Sequence, residues 1–193
     1  MNGPGRLAQL ACVLEVIAPK PGNVHRSRDL PGLHLIDFIA SALAIGQALD
    51  CAATGGLGLA VEKAIEATHQ LVATNTNLGM VLLLAPLVAV PEGMSIRAGV
   101  PDVLAATTID DARAVYRAIR RARPGGLGSV RDQDISQEPT LTLKAVMASP
   151  PIAISSPDST RTDSTRSSTT PFPSWKRASI SVDPSRRPSS RRT

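Results

Sequence analysis

The sequence predicts an all-α, compact multi-helix domain over residues 1–148, followed by a disordered tail over 149–193. Three observations carry this. Apolar residues recur at spacings of three and four in successive segments, the period of a helix with one buried face. No alternating apolar-polar run of strand length occurs. Only 2% of the 193 residues are aromatic, and alanine, leucine and glycine dominate the body, a composition suited to helices packed closely on helices.

Each element has its own signals. In residues 7–18, Leu7, Leu10, Ala11, Leu14, Ile17 and Ala18 fall on one helical face. Pro19 and Pro21 end that helix, because proline disfavours the helical conformation of the residue before it. Asp37 is placed to cap a second helix running to about Ala53, with Phe38, Ala42, Ile45 and Leu49 on one side. The stretch "TGGLG" at 54–58 breaks the chain. A third helix, from about 59 to 73, turns Val61, Ile65, Thr68 and Val72 inward. Residues 78–90, "LGMVLLLAPLVAV", are apolar all round, which suits a central buried helix. Thr108 with Asp111 three residues on forms a capping box with the shorter acid. It opens a helix through Ala122 that "PGGLG" at 124–128 stops. Pro139, at a first helical position, starts a last helix over 139–148.

The pattern then ends. Of the 45 residues from 149 to 193, 33 are Ser, Thr, Pro or Arg. Such a segment buries too little apolar surface to offset the entropy of ordering, so disorder is expected. The change falls inside a helix that shows no stop signal. That abruptness leads to the expectation of a shifted reading frame, with codons for further helices read as a Ser/Pro/Arg-rich tail.

The net charge of +5 and pI near 9.9 do not describe the body. The tail holds eight Lys/Arg against three Asp, while residues 1–148 hold 13 of each sign. A specific nucleic-acid partner is therefore not expected of the domain. Cys12 and Cys51 make no metal or redox spacing, and both are expected as buried free thiols. His34 and His69 likewise lack ligand spacing and read as structural or surface residues. No secretory signal is visible, and the longest apolar run falls short of the roughly 20 residues a span needs. A soluble, cytoplasmic chain is expected.

Three loops at helix ends carry the candidate chemistry. In "APKPGNVHR" (18–26), two prolines stiffen the loop and Gly22 lets the backbone approach a ligand. Lys20, His25 and Arg26 offer positive charge, and Asn23 a hydrogen-bonding amide, a combination suited to phosphates. In "TNTNLG" (74–79), Asn75, Thr76, Asn77 and Gly79 precede an apolar helix. Thr76 or Asn77 is placed to cap it, and the free amides there suit an anion. In "PGGLGSVRDQD" (124–134), Asp132 and Asp134 lie two residues apart, a spacing that serves for a magnesium ligand or a base.

Taken together, "EVIAPKPGNVHR" (15–26), "DFIASALAIG" (37–46), "NTNLGMVLLLAPL" (75–87), "VYRAIRRARPGGLG" (115–128) and "DQDISQEPTLTLKAVMA" (132–148) resemble the triphosphoribosyl-dephospho-CoA synthase family. The resemblance covers nearly all of 1–148, in order. It implies an all-helical enzyme that moves the triphosphoribosyl group of ATP onto 3′-dephospho-CoA and releases adenine. The product would be the prosthetic-group precursor of citrate lyase or malonate decarboxylase. The family's loops map onto Pro19, Lys20, Pro21, Gly22, Val24 and Arg26, and onto Asn75, Thr76 and Gly79. The chain departs from the citrate lyase branch at His25, Asn77 and Leu78.

On this reading Lys20 and Arg26 hold phosphate, with Gly22, Asn23 and His25 beside them. Asn75, Thr76, Asn77 and Gly79 contact phosphate or ribose. Asp132 or Asp134 serves as base or as ligand of the Mg2+ that ATP use implies, and Glu15 is a further catalytic candidate. Family members continue helically beyond this point. The inward faces of the incomplete domain would then stay exposed and favour self-association or an inactive fragment. A helical interaction module with a basic tail is the alternative of a different class.

Overall fold

The computed structural model describes residues 3–125 and 133–148. The tail expected at 149–193, and Asp132, lie outside them. The described residues form nine helical elements and no strand. In chain order these are α1 (Pro4–Ile17), α2 (Leu35–Ala44), α3 (Gly46–Asp50), α4 (Ala52–Gly55), α5 (Leu57–Leu71), α6 (Leu78–Val88), α7 (Ile96–Ala105), α8 (Ile109–Ala122) and α9 (Leu143–Ala148). The all-α class is as the sequence predicts.

The centre of the fold is α5. It packs most extensively on α8 and also touches α2, α3, α4 and α6. Val61, Ile65, Thr68 and the following Val72 are buried as their spacing predicts. Gly56 precedes α5 with φ 93, a conformation that a residue with a Cβ rarely adopts. Gly58, expected within a chain break, instead lies inside α5 where it crosses α8. A Cβ there would stand 2.4 Å from the Asp111 backbone. The two backbones therefore approach as closely as only glycine permits. Thr108 caps α8 as expected: its Oγ1 accepts from the Asp111 amide at 3.2 Å, and Asp111 Oδ2 accepts from the Thr108 amide at 2.8 Å. Asp111 Oδ1 also accepts from the Gly58 amide at 2.8 Å, so one carboxylate closes the N-terminal ends of both helices.

Five expectations need correction, and one helix was not expected. The buried face of α1 is Gly5, Ala8, Cys12 and Val16, whereas Leu7, Leu10 and Leu14 are 66%, 53% and 58% exposed. Close approach decides this, because a Cβ on Gly5 would lie 2.1 Å from the Gly46 carbonyl oxygen. Small residues let α1 sit down on α3, and the leucines are turned away. The segment expected as one helix from Asp37 breaks into α2, α3 and α4. Its N-cap is His34, whose amide donates to Asp37 Oδ2 at 3.2 Å. α6 is buried on one face only, at Leu78, Val81 and Ala85, and Leu83 is exposed. Cys12 is buried, but Cys51 is exposed between α3 and α4. Pro139 is fully buried ahead of the last helix, which begins only at Leu143. Finally, α7 has no counterpart in the sequence reading. Its interior Pro101 masks the helical period, while Ser95 caps it by accepting from the Ala98 amide.

Candidate functional site

The loop after α1 contains two tight antiparallel bridges, His25 with Arg28 and Leu30 with Leu33. Val24 is fully buried and anchors it. Gly22 has φ 77, and nothing lies within 4 Å of where its Cβ would be, so the backbone there is open to approach. Lys20 is already engaged: its ammonium donates to Glu15 Oε1 at 2.6 Å and to the Glu15 carbonyl at 2.7 Å. Glu15 and Lys20 thus form an ion pair at the end of α1. Asn23 Oδ1 accepts from the Val24 amide, and His25 Nδ1 from the Ser27 amide. Arg26 is exposed, without a hydrogen-bonding or ionic partner among the described residues.

The second loop divides its labour differently from the sequence reading. Asn77 is the N-cap of α6 by position, but its side chain makes no capping bond. It is buried, and its Nδ2 donates to the Ser41 carbonyl at 3.2 Å and to Thr68 Oγ1 at 2.9 Å. Its Oδ1 is buried with no partner among the described residues. Ser41 Oγ donates to the Asp37 carbonyl at 2.7 Å, which makes the Thr76 hydroxyl the donor in the short Thr76–Ser41 bond. Thr76 and Asn77 therefore tie the loop to α2 and α5. Asn75 caps instead, its Oδ1 accepting from the Leu78 amide at 3.2 Å. Gly79 has open space around its Cβ position.

Gln133 and the residues after it are pinned along α8. Tyr116 donates its phenol proton to the Gln133 carbonyl at 2.6 Å. One turn on, Arg120 donates to the Ile135 carbonyl at 2.9 Å and to Glu138 at 3.3 Å. Asp134 is buried, and its Oδ1 accepts from the Ser136 amide at 2.9 Å and hydroxyl at 2.6 Å. Burial, and then the nearby Asp134 charge, push the Tyr116 phenol above its ordinary range. Among the described residues no three His, Cys, Asp or Glu side chains gather as a metal site.

The second loop and Gly125, just past α8, come together at the C-terminal end of α8. One cleft of about 470 Å³ is lined by Glu66, His69, Gln70, Arg120, Arg121 and Arg123. An adjoining one of about 360 Å³ is lined by Leu33, Thr74, Asn75 and Gly125 among others, and shares His69 and Arg123. Leu33 brings in the end of the first loop, whereas Lys20, His25 and Arg26 line neither cleft. His69, Arg120, Arg121 and Arg123 were not singled out as site residues in the sequence. The signal of the three arginines was the run "RRAR" closing a well-capped helix, which reads equally well as basic residues opposing the helix dipole. A larger cleft of about 610 Å³, against the other face of α6, is apolar, and Lys144 alone of its lining residues is charged.

A helical fold that gathers amide, hydroxyl and guanidinium groups in one cleft has the chemistry of a protein handling a phosphorylated, hydroxyl-bearing small molecule. The sequence profile of the CitG family, ATP:dephospho-CoA triphosphoribosyl transferase, matches residues 1–150, and the chain belongs to that family. No curated protein and no solved structure matches. Among the described residues no helix is long and apolar enough to cross a membrane.

Proposed function

We propose that the chain transfers the triphosphoribosyl group of ATP onto a ribose hydroxyl of 3′-dephospho-CoA, releasing adenine. The observation that carries this is the family match over residues 1–150. The cleft joining Thr74 and Asn75 to Arg123 supports it. The product would serve as prosthetic-group precursor for citrate lyase or malonate decarboxylase, and the enzyme would work in the cytoplasm.

The acceptor hydroxyl oxygen bonds to the anomeric carbon of the ATP ribose. The bond from that carbon to adenine breaks, and the hydroxyl proton leaves with adenine or through a base. Holding two polyanions and fixing the hydroxyl in line is most of the task. Arg26, exposed in the first loop, contributes charge toward the second substrate. Lys20, paired with Glu15, positions that loop rather than binding by itself. Asn75 offers its amide nitrogen, while Thr76 and Asn77 set the loop's shape. Among the described residues no three metal-ligating side chains gather, and Asp134 Oδ1 accepts from the Ser136 hydroxyl. Mg2+ would enter with the nucleotide substrate as its counter-ion. The exposed leucines of α1 support self-association as a further property.

Chromatography of a reaction containing the chain, Mg-ATP and 3′-dephospho-CoA tests the proposal. Adenine is expected in amounts equal to the modified acceptor. Folded protein that binds ATP but forms no adenine with this acceptor overturns it and favours the inactive fragment.

A further inference from the structure

We infer that the two-lobed basic cleft at the end of α8 is a polyphosphate subsite, with Arg123 its principal ligand and His69 beside it receiving a sugar hydroxyl. The identity of the natural ligand rests on the triphosphoribosyl-transfer reading; the chemistry of the cleft does not.

Charge balance is the first argument. Arg120, Arg121 and Arg123 line the cleft against one acid, Glu66. Glu66 already faces Arg121 at 3.6 Å, and Arg120 is engaged with Glu138 and the Ile135 carbonyl. The Arg123 guanidinium has no hydrogen-bonding or ionic partner among the described residues. Arg120 and Arg121 lie in the last turn of α8, where opposing the helix dipole explains them. Arg123 is past the end of the helix and already employed in capping it through its backbone, whose amide donates to the Ile119 carbonyl.

Backbone conformation is the second argument. Arg123 has φ 45 and ψ 53, the left-handed cap conformation in which glycine is the residue usually found. Glycine would serve the turn better, so an arginine there is not explained by the turn. It is explained by the cleft, both lobes of which the side chain lines.

The neutral groups complete the site. The Asn75 Oδ1 is used on the Leu78 amide, which leaves its Nδ2 as a donor for a phosphate oxygen. His69 Nε2 bonds to the Arg121 carbonyl at 2.7 Å. A carbonyl only accepts, so Nε2 carries a proton, and in the neutral ring Nδ1 is an acceptor. An acceptor in a basic cleft suits a sugar hydroxyl rather than a phosphate. The arrangement therefore fits a phosphorylated sugar, with its phosphates toward Arg123 and a hydroxyl toward His69. The combined volume of the lobes is within the usual range for a small-molecule site.

Calorimetric titration of the full chain with tripolyphosphate, a probe that contains no sugar or base, tests the subsite. Arg123→Gly is the informative variant, because it keeps the left-handed turn. A thermal midpoint at or above that of the unsubstituted chain, with affinity for tripolyphosphate at least tenfold weaker, is the expected result. Arg97→Gln, which removes an exposed cation on α7, should leave affinity unchanged. His69→Ala should weaken ATP while sparing tripolyphosphate. Undiminished tripolyphosphate binding by Arg123→Gly overturns the inference, as does equal weakening by Arg97→Gln or no binding by the unsubstituted chain. Adenine release reports separately: binding through Arg123 without adenine would sink the transfer reading and leave the subsite standing. Adenine release with Arg123→Gly binding normally would do the reverse.

Discussion

Replacing Gly58 with alanine should unlatch the central helix pair. An added Cβ would stand 2.4 Å from the Cα and carbonyl oxygen of Asp111 and 2.8 Å from its carbonyl carbon. These are backbone atoms of α8, so no side chain can swing aside. Forcing apart a packed contact costs about 1–3 kcal/mol. Separating the helices also strains the 2.8 Å bond from the Gly58 amide to Asp111 Oδ1. A hydrogen bond to a charged group is worth about 1.5–3 kcal/mol, less here because Asp111 is partly solvated. Against this, alanine in a helix returns about 0.5–1 kcal/mol relative to glycine. The net is a loss of about 2–4 kcal/mol. For a domain of this size it corresponds to a fall of about 5–15 °C in thermal midpoint. Far-UV circular dichroism on heating measures it. Gly79→Ala is the matched control, since nothing lies within 4 Å of its Cβ position, and it should raise the midpoint slightly. If the two substitutions shift the midpoint in the same direction, the close approach of α5 and α8 is not what fixes Gly58.

Two other outcomes follow from the same contacts. The Glu62 carboxyl is held below its ordinary 4.5 chiefly by the Arg117 guanidinium, which bonds both its oxygens at 2.7 Å. Burial acts to raise the Asp111 carboxyl, but its bonds to Thr108 and Gly58 prevail and hold it below its ordinary 3.8. Both groups are lowered on folding, so their stabilisation is complete above about pH 4.5 and is lost as pH falls through the folded values. Urea midpoints should fall progressively below pH 4.5, and Glu62→Gln should flatten that fall; an unchanged slope in the variant would count against the ion pair. In the second loop, Asn77→Ala leaves Thr68 and the Ser41 carbonyl without their amide partner and should cost about 1–3 kcal/mol. Asn75→Ala loses a cap worth about 1 kcal/mol but should reduce adenine release at least tenfold. Equal losses of stability and activity in both variants would erase that division of labour.

The sequence by itself determined the helical class, the positions of α5 and α8 to within a few residues, and the family. Those properties are local. The period of Val61, Ile65 and Thr68, the Thr108–Asp111 capping box and the ordered motifs are all written in neighbouring residues. Five motifs in the right order identify a family without any knowledge of how they meet. The roles of individual residues were decided only by the tertiary structure. Composition made the leucines of α1 the obvious inward face, yet Gly5 and Gly46 permit a closer approach on the other side, and the leucines were left outside. "TNTN" offered four interchangeable polar residues. Packing against Ser41 and Thr68 drew Asn77 inside and left Asn75 to cap and to face the cleft. Asp134 stood out as a loop carboxylate, and only the fold shows it buried with Oδ1 on the Ser136 hydroxyl. Arg123 and His69 are separated by more than fifty residues and share no motif. They meet because α5 and α8 lie against each other along their length. No local pattern records such a contact, since it depends on which two faces exclude the most water when the whole chain closes.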